Sequence, residues 1–523
     1  MKMGAGAALQ RLAGIVIPFF LGSLARYSVA LVAAVLVGRV GTPVELAAIG
    51  FATVLCNITG HSMVQGMCAA LDTLSTQAFG AGQVAKQGVL AQRAFAICFA
   101  TVCVPAAALW LAITPVLIAA GVDEEVASQV GQFALWRIPG LITQCGYVSL
   151  AKTLNAQRLT RPGMYCSWIA CPIGLACSYV GIVELRLGLV GAAAAATLRD
   201  VLQLALLAGG AAWFCPGFRA CWREGLCDRR ALQEWTYFLR LGFASLVICC
   251  VSWWSWDAAT VLCARLPGDT TTALATQTVV VNVVGLLYLA PGAVARGASA
   301  LVGNALGGNR PAEGRDAFRL VLGTATVVSC VQMVVVVLCS DRVGQLFTDD
   351  DRVVTAVQEI LEPWGVAFAA VGGVQCALAG VVEGIGQQQA VAPIVALSYW
   401  AIGLPAGAVL AFVFEQGLAG IWKGMLAAVS LHCASYIGIC LCLDWEDAAS
   451  KAAARAAARD GFGGSGAAPH TPTSFPRASL ADPFQGQARR QTALPLGARL
   501  CDAMLFGREP ERRAASDARL RLL

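Results

Sequence analysis

The chain has 523 residues, of which 58% are hydrophobic and only 13% are charged, and its mean hydropathy is +0.68. A soluble globular domain is typically about half apolar and a quarter charged, so this composition argues against a soluble protein and indicates a lipid environment. The net charge of +6 is small for this length and gives no support to nucleic-acid binding.

The apolar residues group into about twelve stretches, in two sets of six, and each is long enough for the ~20 residues that a transmembrane helix needs. The strongest lie near Ile15–Val37, Val89–Ala119, Phe238–Cys263 and Thr324–Cys339. The first run exceeds the roughly 7–15 residues of a signal-peptide core, so it predicts a first membrane helix. The predicted fold class is an all-α polytopic membrane protein with twelve transmembrane helices in two pseudo-symmetric six-helix lobes.

The predicted domain boundaries follow from these stretches. Residues 1–213 form an N-lobe (helices 1–6), 214–236 a cytoplasmic linker, 237–443 a C-lobe (helices 7–12) and 444–523 a disordered cytoplasmic tail. The basic linker is either a solvated tether or a segment that lies on the lipid surface. The tail is rich in Gly, Pro, Ser and Arg without an apolar period, although Ala448–Arg459 could form a short surface helix.

Charged residues alternate in sign along the connections. Basic residues gather in every second one, for example Lys152, Arg158 and Arg161 between helices 4 and 5. Acidic runs occupy intervening connections, after helices 3 and 9. The positive-inside rule assigns the basic connections to the cytoplasm, so both termini are predicted to be cytoplasmic.

The two halves resemble each other in sequence. Asn57 is followed three residues later by Gly60, and Asn282 by Gly285, in helices 2 and 8. Each half begins and ends on the same predicted side of the membrane, so the repeats are parallel and related by an axis along the membrane normal. Such an array is typical of a secondary transporter whose halves rock around a shared cavity.

Several motifs extend across nearly the whole membrane region, roughly 12–443. They are Glu45-Leu-Ala-Ala-Ile, Cys56-Asn-Ile-Thr-Gly60, Ala70-Leu-Asp-Thr-Leu-Ser-Thr-Gln-Ala-Phe-Gly-Ala81, Asn155-Ala-Gln157, Trp253-Trp-Ser-Trp-Asp257, Gly380-Val-Val-Glu-Gly-Ile-Gly-Gln-Gln388 and Ile402-Gly-Leu-Pro405. In these motifs the chain resembles the multidrug and toxic compound extrusion (MATE) family, particularly its plant and algal branch. The resemblance implies a two-lobed, twelve-helix antiporter. It would export organic cations or secondary metabolites in exchange for H⁺, or for Na⁺ as in some bacterial members.

Asp257 is the leading candidate for coupling, since an ionisable residue within the membrane is costly and marks function by default. Desolvation favours its neutral form, so it could take up a proton on an acidic side and release it to the cytoplasm. Its ionised form could bind a cation, with Trp253 and Trp254 adding cation–π attraction. The alternative is an acid at the outer interface within an aromatic belt.

The chain departs from the family pattern at two acidic positions. The resemblance implies a glutamate where helix 7 has Ser252 and an acid where helix 10 has Gly372. These departures put the standard proton coupling of the C-lobe in doubt. Glu383, near the end of helix 10, is interpreted as a solvated acid.

The N-lobe carries unusual charges in the middle of its helices. We hypothesise that Arg26 of helix 1 or Arg199 of helix 6 pairs with Asp200, as a structural lock or a proton relay. If Arg26 is instead free in the cavity, it would favour an organic anion such as a carboxylate. Asn57 and Asn282 either line the cavity or form hydrogen bonds between helices.

Other activities receive less support. The scattered cysteines lack metal spacing, and no nucleotide-binding or hydrolase motif occurs, so no metal, cofactor or enzyme activity is expected. A lipid-linked substrate flippase of related architecture and a channel or receptor remain as alternatives. The expected partners are a small organic substrate, H⁺ or possibly Na⁺ as counter-ion, and lipid. The expected state is a monomer in the plasma or vacuolar membrane.

Overall fold

The computed structural model describes residues 5–40, 43–222, 225, 227–348 and 350–457, and within these ranges all regular structure is helical. Thirteen helical stretches are labelled α1 to α13 here, several of them broken by a turn or a π-helical turn. They are α1 (Ala5–Val40), α2 (43–80), α3 (84–119), α4 (Glu124–Ala156), α5 (Arg161–Glu184), α6 (Gly188–Phe214), α7 (Trp235–Cys263), α8 (Thr270–Gly307), α9 (Pro311–Val343), α10 (Asp351–Ile385), α11 (Gln388–Val413), α12 (Gly417–Cys442) and α13 (Trp445–Ala457).

Within the described residues, ten helices are long and apolar enough to cross a membrane. The stretches α2 and α4 are of comparable length, and α4 carries the charged residues Arg137 and Lys152 inside it. The helical stretches α1 to α12 agree with the predicted twelve-helix polytopic fold. Lys152, which the sequence analysis assigned to a connection, lies within α4, because the helix continues to Ala156.

The backbone repeats itself in the two halves of the chain. Residues in the left-handed region, which glycine and asparagine enter most easily, recur in matching connections. The matching pairs are Gly82 with Asn309, Arg158 with Gly386, Arg186 with Glu415, and Gly188 with Gly417. The acidic turns also match, since Asp123 and Asp350 each cap the following helix through the side chain. These features agree with the predicted internal repeat.

Two large apolar clusters form the core. One comprises buried residues from position 259 onward together with Leu12 of α1. The other comprises residues 48–193 together with the first part of α7, including Phe238 and Leu246. The first helix of each half therefore packs against the opposite half, α1 against α8 and α7 against α2. We refer to residues 5–214 as the N-half and to residues 235–442 as the C-half.

Part of the predicted tail is ordered. The prediction of disorder from residue 444 is wrong for Trp445–Ala457, which form α13; the possible helix over Ala448–Arg459 is present as far as Ala457 and begins earlier, at Trp445. Its buried residues recur every three or four positions, so one face packs against the bundle; they are Trp445, Ala448, Ala449, Ala452 and Ala456. The rest of the predicted tail, from residue 458, lies outside the described residues.

The linker packs against the N-half. Within it, Pro216–Cys221 form a short helix and Arg229–Leu232 a 3-10 turn. Gln157 at the end of α4 donates a hydrogen bond to the Cys221 sulfur, with the two atoms 2.9 Å apart. Arg93 of α3 donates to the Arg230 carbonyl at 3.0 Å. The described linker residues are thus held by hydrogen bonds to α3 and α4.

Candidate functional site

Four charged residues meet where the two halves touch, and we call this region the inter-half junction. Asp72 of α2, only 2% exposed, pairs with Lys152 of α4 and with Arg296 of α8. The distance from the Asp72 carboxylate to the Arg296 guanidinium is 2.7 Å. Arg296 also lies 3.7 Å from the Glu383 carboxylate of α10. One guanidinium therefore links the halves, since Asp72 and Lys152 belong to the N-half and the other two to the C-half.

Hydrogen bonds and close helix packing surround these charges. Gln77 donates a hydrogen bond to the Gly384 carbonyl at 3.0 Å, and Gln388 donates to the Thr73 hydroxyl at 2.8 Å. The ends of α2 and α8 cross at glycine, since a Cβ on Gly80 would lie 2.2 Å from the Asn304 carbonyl oxygen. Any side chain at that position would force the two halves apart.

The helix α13 forms hydrogen bonds to both halves beside the junction. Lys86 of α3 donates to the Ala456 carbonyl at 3.0 Å, as a cation does when it caps a helix C-terminus. Arg455 donates to the carbonyl of Ile385, the last residue of α10, at 3.0 Å. The same short helix therefore contacts both halves.

The sequence analysis missed most of this cluster. It interpreted Glu383 as a solvated acid, which is wrong, because the side chain is 20% exposed and faces Arg296. It counted Lys152 among connection charges and did not consider Arg296. The signal was available, since Arg296 is an ionisable residue within an apolar stretch of α8.

Asp257 lies on the side of α7 that faces the N-half. Three residues of α7 one or two helical turns apart define this side. Leu246 packs against Gly66 of α2, the Cys250 sulfur is 4.0 Å from the Ser62 hydroxyl, and Trp254 packs on the N-half cluster. Asp257 follows Trp254 by three positions and continues this side toward the end of α7.

The Asp257 carboxylate is partly withdrawn from solvent. The side chain is half-buried and has no hydrogen-bond or ion-pair partner within the described part of the chain. The indole nitrogen of Trp254 is buried and also lacks an acceptor among the described residues. Trp253 is 48% exposed, whereas Trp256 packs in the C-half on Phe368 and Trp422. Trp254 is therefore the neighbouring indole that shares the side of Asp257.

The two departures from the family pattern have structural counterparts. The Ser252 hydroxyl donates to the Ile248 carbonyl, one turn earlier in α7, at 2.5 Å. A Cβ at Gly372 would lie 2.8 Å from the Tyr288 hydroxyl oxygen and 3.1 Å from the Phe368 ring. A carboxylate does not fit at Gly372 without displacing these rings. Of Ser252, Asp257 and Gly372, only Asp257 therefore carries an acid.

The structure does not bring Asn57 and Asn282 together. Asn57 begins a π-helical turn of α2, and its carbonyl accepts from the Ser62 hydroxyl at 2.7 Å. The Asn282 amide donates to the Thr278 carbonyl within α8 at 2.8 Å, and its own carbonyl accepts from Tyr27 of α1 at 3.1 Å. Asn282 thus takes part in a contact between α1 and α8.

A second charged network lies inside the N-half. Asp200 accepts from Arg199 at 2.7 Å and from Arg137 of α4 at 2.9 Å. Arg137 also contacts the His61 ring at 3.1 Å, and the other His61 nitrogen contacts Gln144. The hypothesised pair of Arg199 and Asp200 is present, while the sequence analysis missed Arg137 and His61. Both lie inside long helices, which was the available signal.

Arg26 does not pair with Asp200. Its guanidinium donates to three hydroxyl groups, those of Ser23, Ser167 and Tyr147, at 2.9–3.1 Å. None of these partners carries a charge, and within the described residues no carboxylate contacts it. Of the two partners hypothesised for Asp200, Arg199 is present and Arg26 is not, because Arg137 occupies the second side of that carboxylate.

Comparisons with known proteins agree with this architecture. A family model described as MatE matches two segments, residues 18–180 and 244–409, one in each half. Multidrug and toxin extrusion protein 1 of Danio rerio is 30% identical over 450 residues, which cover 86% of this chain and 74% of that protein. Protein DETOXIFICATION 48 of Arabidopsis thaliana is 30% identical over 445 residues, which cover 83% and 80% respectively.

The fold also matches solved structures. The crystal structure of the eukaryotic MATE transporter AtDTX14 superimposes with a TM-score of 0.81 at 27% sequence identity, and the match covers 87% of this chain and 100% of that one. A Vibrio cholerae MATE transporter, VcmN, superimposes with a TM-score of 0.73 at 20% identity and shows the fold alone. On the family model and these relatives, the chain belongs to the MatE family of multidrug and toxic compound extrusion transporters.

Proposed function

We propose that the chain exports small organic cations, xenobiotics or secondary metabolites from the cytoplasm in exchange for H⁺, with Asp257 as the coupling acid. Family membership gives the chain its activity as an antiporter of organic compounds rather than an enzyme. The observation that carries the choice of residue is the position of Asp257. It lies on the side of α7 that faces the opposite half, and no cation neutralises it among the described residues.

The chemistry of this position favours competition between a proton and an organic cation. A half-buried carboxylate without a polar partner is stabilised either by protonation or by a cationic ligand. Trp254 supplies an aromatic face for cation–π attraction and an indole N–H without an acceptor in the described chain. Proton uptake would therefore release the bound cation. A proton needs this one carboxylate only, whereas Na⁺ would need several more oxygen ligands, which favours H⁺.

The inter-half junction supplies the gate in this cycle. With the positive-inside orientation, the junction lies toward the cytoplasm and both chain termini are cytoplasmic. Its charge links then hold the cytoplasmic side closed while Asp257 exchanges protons with the outer or vacuolar side. Loading from the cytoplasm requires the halves to rock apart at Arg296. Two six-helix lobes suffice for this cycle in a monomer, in the plasma or vacuolar membrane.

The motifs favour the plant and algal branch of the family within this proposal. The compared relatives divide between animal and plant proteins at similar identity, so the motif agreement carries this assignment.

Proteoliposome transport tests the proposal. A panel of organic cations is assayed for flux with and without an imposed pH gradient, using wild type, Asp257→Asn and the matched control Glu359→Gln, an exposed acid of α10. We expect the gradient to accelerate flux in wild type and control but not in Asp257→Asn. Gradient-independent flux in wild type would contradict proton antiport, and a gradient response retained by Asp257→Asn would contradict the role of that acid.

A second candidate function is export of organic anions such as carboxylates. The observation that favours it is the Arg26 guanidinium, which contacts hydroxyl groups and the rings of Phe19 and Tyr147 but no carboxylate in the described residues. A partly buried cation without a counter-charge offers a carboxylate a favourable partner. Carboxylate flux that is present in wild type and lost in Arg26→Gln would support this function. Unchanged anion transport in that variant would exclude it.

A further inference from the structure

Three buried cysteines converge inside the N-half, about one helical turn of α2 from Asp72 of the junction. They are Cys68 of α2, Cys98 of α3 and Cys145 of α4, and each is fully buried. Their sulfur atoms all lie within 4.8 Å of one another. A point therefore exists within about 2.8 Å of all three sulfurs, close to the ~2.3 Å of a zinc–thiolate bond.

The local backbone of α3 contributes a fourth thiol. A π-helical turn spans Phe99–Cys103, closed by a hydrogen bond from the Val104 N–H to the Phe99 carbonyl. In a π-helix residues five apart share a face, so the turn brings Cys103 to the same side as Cys98. Cys103 accordingly lies beside Cys98 and Cys145. A regular α-helix would have turned the two cysteines of α3 away from each other.

We propose that Cys68, Cys98 and Cys145 form a binding site for a thiophilic metal ion with a filled d shell, such as Cd²⁺, Zn²⁺ or Cu⁺, with Cys103 as an adjacent fourth ligand. Thiolates select such ions over Mg²⁺ or Ca²⁺. Binding of Cd²⁺ by three thiols releases three protons and leaves one net negative charge. Ser149 lies 3.7 Å from the Cys68 sulfur, and Lys152, which pairs with Asp72, follows Ser149 by one turn of α4, so its ammonium group adds positive potential near that charge.

The site would brace the N-half. Its ligands come from three helices that pack together through an apolar cluster and a few polar contacts, such as Lys152 with Asp72, so a bound ion would add a cross-link among α2, α3 and α4. All three helices belong to the same half, and a brace among them leaves the junction free to open. Occupancy is therefore expected to raise thermal stability without locking the halves together.

Cd²⁺ titration of the purified full chain tests the site. The background carries serine at the exposed cysteines Cys227, Cys330, Cys339 and Cys442. We expect one tightly bound Cd²⁺ per chain, an ultraviolet thiolate-to-cadmium charge-transfer band and a raised melting temperature. Cys98→Ala and Cys145→Ala should each weaken binding by about 100-fold or more, since even loss of an outer partner costs 10- to 100-fold. The matched control is Cys263→Ala, which removes an equally buried thiol from the C-half.

X-ray absorption at the cadmium edge of the unmutated cluster gives an independent test that does not depend on the variants folding. Three or four sulfur ligands in a single site would support the proposal. Absence of tightly bound Cd²⁺, a shell of oxygen and nitrogen ligands, or equal loss of binding in Cys263→Ala would overturn it.

Discussion

Removal of the Arg296 side-chain charge should open the inter-half junction. We consider Arg296→Met, which keeps much of the side-chain length and deletes the only guanidinium that pairs with Asp72 across the halves in the described chain. At 2.7 Å, the Coulomb attraction is about 6 kcal/mol at an effective dielectric constant of 20. Much of this is offset, because Arg296 is 27% exposed and Asp72 keeps Lys152 as a partner.

The net cost is set by loss of one charge-assisted hydrogen bond, which is worth about 1.5–3 kcal/mol. The substitution destabilises the conformation in which the halves touch. Arg296→Met should therefore raise the population of the open junction roughly 10- to 150-fold, at about 1.4 kcal/mol per tenfold change.

Hydrogen exchange measured by mass spectrometry reports this opening. Backbone amides of residues 72–80 and 299–307 flank the junction, and their exchange rate follows the opening equilibrium when reclosing is fast. We expect exchange there to accelerate by the same factor in Arg296→Met. The matched control is Arg319→Met, because Arg319 pairs with Asp316 at 3.6 Å on an exposed surface, where such pairs are worth about 0–1 kcal/mol. Equal exchange in the two variants would refute the reasoning.

Two further predictions concern packing. Gly380→Ala should lower the free energy of unfolding by about 1–3 kcal/mol, since its Cβ would lie 1.8 Å from a carbonyl oxygen of α8. Thermal melting measures this loss. The control Gly323→Ala, where the new methyl meets no atom within 4 Å, should show no such loss. Lys86→Met should release the end of α13, because the bond to the Ala456 carbonyl is charge-assisted and worth about 1.5–3 kcal/mol. Faster amide exchange in 445–457 would report the release, and Lys451→Met, which alters an exposed pair only, should leave exchange unchanged.

The fold was largely predictable because its dominant constraint is local in sequence. Each span must bury about 20 apolar residues in lipid, so the helices were visible as apolar runs. The acidic turns were equally visible, and Asp123 and Asp350 act as the helix caps that such residues favour. The helix α13 was predicted only as a possible surface helix over Ala448–Arg459, because most of its buried face is alanine, which carries little hydropathy contrast with its surroundings.

The charged sites were only partly predictable, because partner choice depends on how helices rotate against one another. Arg26, Arg137 and Arg199 all lie inside helices of the N-half that contains Asp200. The sequence alone could not show that Arg137, rather than Arg26, would face that carboxylate. The same limit applies to Arg296, whose acidic partners come from two other helices, α2 and α10. Cysteines spaced dozens of residues apart likewise reveal no cluster until α2, α3 and α4 pack together.

The double attachment of α13 has a practical consequence for following the transport cycle. Lys86 and Ile385 hold the helix from opposite halves, so movement of those halves apart must break at least one attachment. The helix would then ride with a single half. A fluorophore at Ala457 should consequently keep a fixed distance to a label on that half, while its distance to a label on the other half changes with each cycle. The end of this helix is therefore a suitable labelling position for single-molecule recordings of turnover.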